Sequence, residues 1–202
     1  MSINFFQFNP IPIVSTEITV KQEWLDVANN FNYVRMPADN GHYTSYKYVL
    51  NKLPGLQLEI AKVIEYLTRD ILRINKKIGF KFLNSWINIH NKNDYSHHHY
   101  HSNSVFSGVY YLKAEEGQGD LEFNNNTYSN NIGSLFKYEY DELNLINSSQ
   151  HVFRSRTGSL IIFPSHLPHR VMPNTSNNKR ISLAFNVFPY GEWGDSEGRM
   201  SI

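Results

Sequence analysis

Ser96-His97-His98-His99-Tyr100-His101 leads, through Ser102, into Asn103-Ser104-Val105-Phe106-Ser107-Gly108-Val109-Tyr110-Tyr111-Leu112. Four of the chain's nine histidines fall within five residues, and the run behind them is β-branched and aromatic. Alternate side chains of a strand share a face, so His99 and His101 are expected to point together with Asn103, Val105, Ser107, Val109 and Tyr111. Phe106, Tyr110 and Leu112 then face the other way, under helices. Two imidazoles spaced in this way have bases ~7 Å apart along a strand and can reach one ion. Imidazole suits iron, zinc, copper and nickel. His97 shares the parity and could replace His99, whereas His98 is out of phase. A histidine-rich tract alone is equally an ordinary polar surface run, so a second signal has to decide.

That signal lies downstream, in Phe163-Pro164-Ser165-His166-Leu167-Pro168-His169-Arg170-Val171 and then Arg180-Ile181-Ser182-Leu183-Ala184-Phe185-Asn186. Two prolines flank a turn and aim His169 from the start of a new strand. His166 competes with it but reads as a loop residue. Arg180 and Ser182 share one strand face. An inward arginine is costly unless it meets an anion. Its fork fits a carboxylate at two points, with a nearby hydroxyl adding a third bond. The eleven-residue step from His169 to Arg180, through Pro173-Asn174-Thr175-Ser176-Asn177-Asn178, is expected to return the chain antiparallel.

Around these segments the chain reads as scaffold. Short β-type runs at 80–90, 104–113, 119–123, 134–140, 151–155, 159–163, 168–172 and 180–188, separated by turn chemistry, imply a mainly β sandwich or barrel of the jelly-roll type. Gly55 to Lys77 reads as one helix with the stripe Leu56, Ile60, Val63, Ile64, Leu67, Ile71, Leu72 and Ile74, basic at its end and stopped by Gly79. Residues 19–31 suit a short helix with Trp24, Val27, Ala28 and Phe31 on one side. Residues 3–14, with Pro10 and Pro12, suit an extended edge. Residues 35–54 read as irregular, and 124–150 as a long loop of the kind that carries substrate contacts.

At 202 residues one domain is expected, with 1–78 as an N-terminal helical layer and 79–190 as the β core. A formal net charge of +1 gives no global field toward nucleic acid or membrane. The absence of cysteine excludes disulfides, thiolate metal sites and cysteine nucleophiles. The first residues have neither the basic start nor the apolar run of a signal peptide, and no stretch approaches a membrane span. A cytoplasmic location is expected. Self-association into a homo-oligomer is compatible with all of this.

Taken together, the blocks His-x-His-x-Asn-Ser-x-x-Ser-Gly-Val-Tyr-Tyr-Leu, Gly-x-Leu-x-Phe, Gly-Ser-Leu-Ile-Ile-Phe-Pro-Ser-x-Leu-x-His-x-Val-x-Pro-Asn and Arg-Ile-Ser-Leu-Ala-Phe-Asn resemble the 2-oxoglutarate- and iron(II)-dependent oxygenases. They are most similar to a small branch found in bacteria and marine phages. The resemblance runs from about Asn84 to Pro189. It implies a double-stranded β-helix packed on helices and a dioxygenase that uses Fe(II), 2-oxoglutarate and O2 to hydroxylate a peptide side chain, amino acid or small metabolite. It implies His99 and His169 as iron ligands, Arg180 and Ser182 as the co-substrate clamp, and Tyr111 as their partner. Where the wider superfamily has His-x-Asp, this chain has His99-Tyr100-His101. The third ligand is therefore expected to be His101, because ligand parity is built into the strand, with a carboxylate from a neighbouring strand, Asp120 or Glu122, as the alternative. Asn124-Asn125-Asn126 replaces an Asp-Pro-Arg-like element of the family. Two other readings stay open: a cupin-like three-histidine metalloenzyme that does not use 2-oxoglutarate, and a non-catalytic barrel that binds or builds, such as a structural phage protein.

Overall fold

Two long strands form the spine: β4 (Ile78–His90) and β11 (Arg180–Trp193) pair antiparallel from Arg180↔His90 to Gly191↔Ile78. The computed structural model describes residues 2–4, 11–36, 40–124, 139–144, 147–148 and 150–201. Around the spine a larger sheet is completed by β1 (Val14–Glu17), β2 (Tyr33–Arg35), β3 (His42–Thr44), β6 (Phe106–Lys113) and β9 (Ser159–Pro164), in the order β1-β9-β6-β11-β4-β3-β2. A short β12 (Met200–Ser201) extends the far end of β11. A smaller sheet holds β5 (Ser96–His99), β10 (His169–Val171), β7 (Leu121–Asn124) and β8 (Gln150–Phe153) in the order β5-β10-β7-β8. The fold is a jelly roll of the double-stranded β-helix type, mainly β, with helices on the outer face of the larger sheet.

Alternation along β11 and β6 sorts the two cores. Ile181, Leu183, Phe185 and Val187 of β11, with Phe106, Tyr110 and Leu112 of β6, pack under the helices against Trp24, Leu56, Ile60 and Ile64. Each fully buried aliphatic side chain there contributes about 1.5–3 kcal/mol. The opposite face of β6 and β9 meets the smaller sheet, where Tyr111, Ile161 and Phe163 pack on Leu121 and Phe123. Gly108 is required by packing: a Cβ there would lie 2.2 Å from the Phe185 ring.

The helices are α1 (Gln22–Asn29) and α2 (Pro54–Glu65). Proline at the first turn of α2 forfeits no intrahelical bond. The helix expected to reach Lys77 is shorter: it continues as a π-helical turn over Tyr66–Ile71 and then stops. Arg73 takes a left-handed φ of 55°, and the Arg69 guanidinium donates to the carbonyls of Ile74, Asn75 and Ile78 at 3.1, 2.9 and 2.6 Å. A side chain within the helix thus holds the exit, without Gly79. Ile71 and Leu72, assigned to the apolar stripe, are exposed.

Other boundaries differ from expectation for physical reasons. Residues 35–54 supply β3, the end of β2 and a 3-10 turn at Val49–Lys52, because β3 borrows its partner from the edge of β4 rather than from its own pattern. The N-terminal segment therefore adds strands as well as helices. The histidine run and β6 are not one strand. Residues 100–105 break away, with Asn103 at φ 58°, so β6 begins at Phe106. Of the run expected at 134–140, residues 139–140 are not in a strand and the remainder lie outside the described residues, as does most of 124–150. Residues 5–10 of the N-terminal edge segment lie outside them too. No helix among the described residues is long and apolar enough to cross a membrane.

Candidate active site

His99 is the last residue of β5, and His169 the first of β10; the two strands pair in the smaller sheet with His169 opposite His99. His101 lies beyond the end of β5, where its backbone N–H donates to the Ser165 carbonyl at 2.9 Å. The expected parity along a single strand is therefore not what brings it in: the chain leaves the strand and is tied to the turn before β10. The three rings meet with centroids 4.3 Å (His99–His169), 5.2 Å (His99–His101) and 5.2 Å (His101–His169) apart. One ligand atom from each lies within 4.8 Å of the others.

Two of the rings are oriented by one local device. His99 Nδ1 is 2.8 Å from the His97 carbonyl, and His169 Nδ1 is 2.9 Å from the Leu167 carbonyl, each two residues earlier. A carbonyl only accepts, so both Nδ1 atoms carry the proton and each Nε2 keeps a free lone pair. This is the arrangement that makes histidine a good metal ligand. Burial, reinforced by the charge of His99, pushes His101 down to about 4. Burial first, then the same neighbour, pushes His169 down to about 3. Imidazoles gathered in this way fit a divalent ion of the iron group.

The other histidines are elsewhere engaged. His97 packs against Tyr95, with centroids 5.0 Å apart, and lends its carbonyl to His99. His98 is exposed and stands 3.5 Å from Glu122. His166 is exposed in the turn. Neither carboxylate weighed as a third ligand joins the cluster among the described residues. Asp120 accepts the Ser155 N–H at 2.8 Å, and Glu122 is held by Arg170 Nε and Nη2, each at 2.8 Å.

The facing wall belongs to the larger sheet. Its inner face carries Asn84, Trp86, Asn88 and His90 from β4, and Arg180, Ser182 and Asn186 from β11. Arg180 is 1% exposed. Its Nη1 donates to the Gly119 carbonyl, its Nη2 lies 2.8 Å from His90 Nδ1, and its guanidinium sits 5.8 Å from the Tyr111 ring centre. Its Nε has no hydrogen-bond partner, and Arg180 makes no ion pair among the described residues. Burial opposes its charge, while Tyr111 and then Asp120 favour that charge from nearby. Ser182 is buried opposite Tyr111 and Asn88. Burial raises the Tyr111 hydroxyl to about 12, so it remains a donor.

His169 and Arg180 are not joined as a hairpin. Between them the chain crosses from the smaller sheet to the larger, so the metal-ligand type residue and the arginine stand on opposite walls. Gly119 and His90 were not singled out by sequence reasoning. Gly119 has φ +88°, and a Cβ there would lie 2.2 Å from the Met172 carbonyl oxygen. Its place in Gly117-Gln118-Gly119-Asp120 was the available signal. His90 had none, being a lone histidine at the end of an apolar run.

The buried histidines set an acid limit on the metal-free protein. Burial, and next the charge of Arg180, pushes His90 down to about 2. His90, His101 and His169 thus have folded values below the unfolded value of about 6.5. Below that value the unfolded chain binds protons that the fold refuses, so stability is complete above it and falls as pH drops toward the folded values. Each histidine removes at most about 1.4 kcal/mol per pH unit. Urea midpoints of the metal-free protein should fall clearly between about pH 7 and pH 5.5. A flat profile there would show that these rings accept protons in the fold.

Two antiparallel sheets face to face, with imidazoles gathered at the edge of the smaller one, define the class as a double-stranded β-helix protein with a candidate metal centre. The family follows from the sequence within that frame: residues 84–186 match the 2OG-Fe(II) oxygenase family, and the chain belongs to it. Similar solved structures include an oxidoreductase of the 2OG-Fe(II) oxygenase family from Burkholderia pseudomallei, at TM-score 0.62 and 13% identity over 87% of this chain and 84% of that one. HygX from Streptomyces hygroscopicus, with nickel and 2-oxoglutarate bound, gives TM-score 0.57 and 11% identity over 93% and 87%. A Pseudomonas putida prolyl-4-hydroxylase gives 0.52 and 12% over 87% and 92%. At these identities the likeness is one of fold. No curated protein sequence matches the chain.

Proposed function

We propose that this 2-oxoglutarate- and Fe(II)-dependent dioxygenase hydroxylates a small molecule or a peptide side chain, with His99, His101 and His169 holding the iron and Arg180, Ser182 and Tyr111 holding 2-oxoglutarate. The observation that carries the site assignment is the pairing of two features on facing sheets. Three imidazoles converge with two Nε2 lone pairs kept free, and opposite them a buried arginine has an unsatisfied Nε and no ion-paired carboxylate among the described residues. A histidine metalloenzyme that did not bind a dicarboxylate would have no use for that cation, and this disfavours the cupin-like alternative.

Bound iron and 2-oxoglutarate would supply oxidative decarboxylation of the co-substrate to succinate and CO2, with one oxygen atom of O2 placed in a substrate C–H bond. The chain's part is to bind, orient and exclude water. His99 and His169 present Nε2 because the His97 and Leu167 carbonyls hold the opposite nitrogens. Arg180 supplies a fixed fork for the far carboxylate, and the Tyr111 hydroxyl stays protonated to donate. Tyr111, Phe123 and Phe163 keep the floor apolar. The substrate side is the wall beside His101: Trp86 lies 5.9 Å from its ring, and Lys47 sits 3.5 Å over Tyr43 and 5.9 Å from Trp86.

The reading is tested by oxygen consumption and succinate release from the Fe(II)-loaded protein with 2-oxoglutarate, with and without a panel of amino acids, peptides and small metabolites. Succinate formation that requires both iron and 2-oxoglutarate is expected. Its absence across the panel, with iron bound, would favour the non-catalytic reading.

A further inference from the structure

We propose that His90 is a positioning residue for the co-substrate: it fixes the Arg180 guanidinium with an uncharged acceptor, so that no bonded carboxylate competes with the far carboxylate of 2-oxoglutarate. This rests on the reading of Arg180 given above.

His90 and Arg180 are register partners on neighbouring strands, each 1% exposed, with Nδ1 and Nη2 2.8 Å apart. Arginine only donates, so His90 Nδ1 accepts and its ring proton resides on Nε2. Nε2 faces the Ser96 hydroxyl at 3.4 Å, which can accept that proton's bond. The backbone is tied down as well: Asn174 Nδ2 donates to the His90 carbonyl at 2.9 Å and to the Asn178 carbonyl at 2.9 Å. The histidine is thus anchored at ring and backbone before it touches the arginine.

The choice of acceptors is what gives this arrangement its meaning. Arg180 has two partners, a backbone carbonyl and a neutral imidazole. An aspartate or glutamate in either place would neutralise the guanidinium, and a dicarboxylate would then have to displace it. Neutral acceptors fix the plane of the fork without forming an ion pair that a dicarboxylate would have to break, and the incoming anion relieves part of the desolvation cost. Burial keeps His90 unprotonated at any working pH, so it never adds a second repelling cation.

Calorimetry on the nickel-loaded protein tests this with two ligands. 2-Oxoglutarate has the far carboxylate, and 2-oxobutyrate keeps the keto-acid end without it. His90→Phe retains a ring and removes the acceptor. It should weaken 2-oxoglutarate about tenfold to a hundredfold, the size expected for a lost hydrogen bond to a charged group, and leave 2-oxobutyrate and nickel affinity unchanged. His90→Asn places its amide oxygen as many bonds from Cα as Nδ1, and should recover most of the loss. Equal weakening of both ligands would reduce His90 to a structural role and overturn the proposal. Unchanged 2-oxoglutarate affinity in His90→Phe, with a loss in Arg180→Ala, would overturn it while sparing the clamp. No loss in either variant would remove the clamp itself. If His90→Phe does not fold, nitrogen NMR of the wild type decides: the Nε2–H tautomer of His90 is expected, and an Nδ1–H tautomer, unable to accept from Arg180, overturns the proposal.

Discussion

Arg180→Ala should all but abolish 2-oxoglutarate binding while leaving metal binding almost untouched. The guanidinium is buried and bonds no carboxylate among the described residues, so a dicarboxylate held there would be desolvated and bonded at two points. Truncating one partner of such a pair typically costs about 2–5 kcal/mol, a factor of roughly thirty to several thousand in Kd. Metal affinity should persist because the three histidines stand on the opposite wall and none contacts Arg180. Arg180→Lys should restore part of the loss, since an ammonium supplies the charge without the fork. Titration of 2-oxoglutarate into the nickel-loaded wild type and both variants measures this. Three equal affinities would show that the far carboxylate binds elsewhere.

His169→Phe should remove the metal. Alanine would confuse ligation with packing, because the His169 ring lies among Phe163 and Phe123, at 4.7 and 5.9 Å. Phenylalanine fills that space and lacks the lone pair. Loss of an outer hydrogen bond to a metal ligand already costs about 10- to 100-fold in affinity, so loss of the ligand itself should exceed about a hundredfold. His98→Ala should change nothing, since that ring is exposed and turned to Glu122. Asp120→Asn decides the matter of the third ligand: unchanged affinity in this variant, with a loss in His101→Ala, assigns it to His101. The reverse result would place a carboxylate in the site. Competition with a chromogenic chelator reads all four variants.

Much of this architecture was legible because alternation in β6 and β11 is unbroken. From Phe106 to Leu112 and from Arg180 to Val187, odd and even positions divide between the helix-side core and the inter-sheet space as the sequence pattern requires. His99, His101, His169 and Arg180 stood out for their chemistry and their spacing. What stayed hidden depends on distant partners or on backbone geometry. The left-handed turn at Asn103 detaches the histidine run from β6, and alternation carries no sign of it. β3 exists because the edge of β4 offers it a ladder. His90 acquires its place only when β4 and β11 are brought into register. The crossing between His169 and Arg180 looks in sequence like any hairpin, since an Asn-rich turn does not record which sheet receives the next strand.

That crossing has a consequence for the mechanics of the molecule. The two sheets meet through an apolar layer and through polar ties such as Arg180 to the Gly119 carbonyl, Ser96 to His90 and Ser107 to Ser165. A dicarboxylate that chelates a metal on the smaller sheet and reaches Arg180 on the larger becomes a strut across the gap. A ligand bound in this way would brace the two sheets, and the stability of the scaffold would rise with ligand concentration.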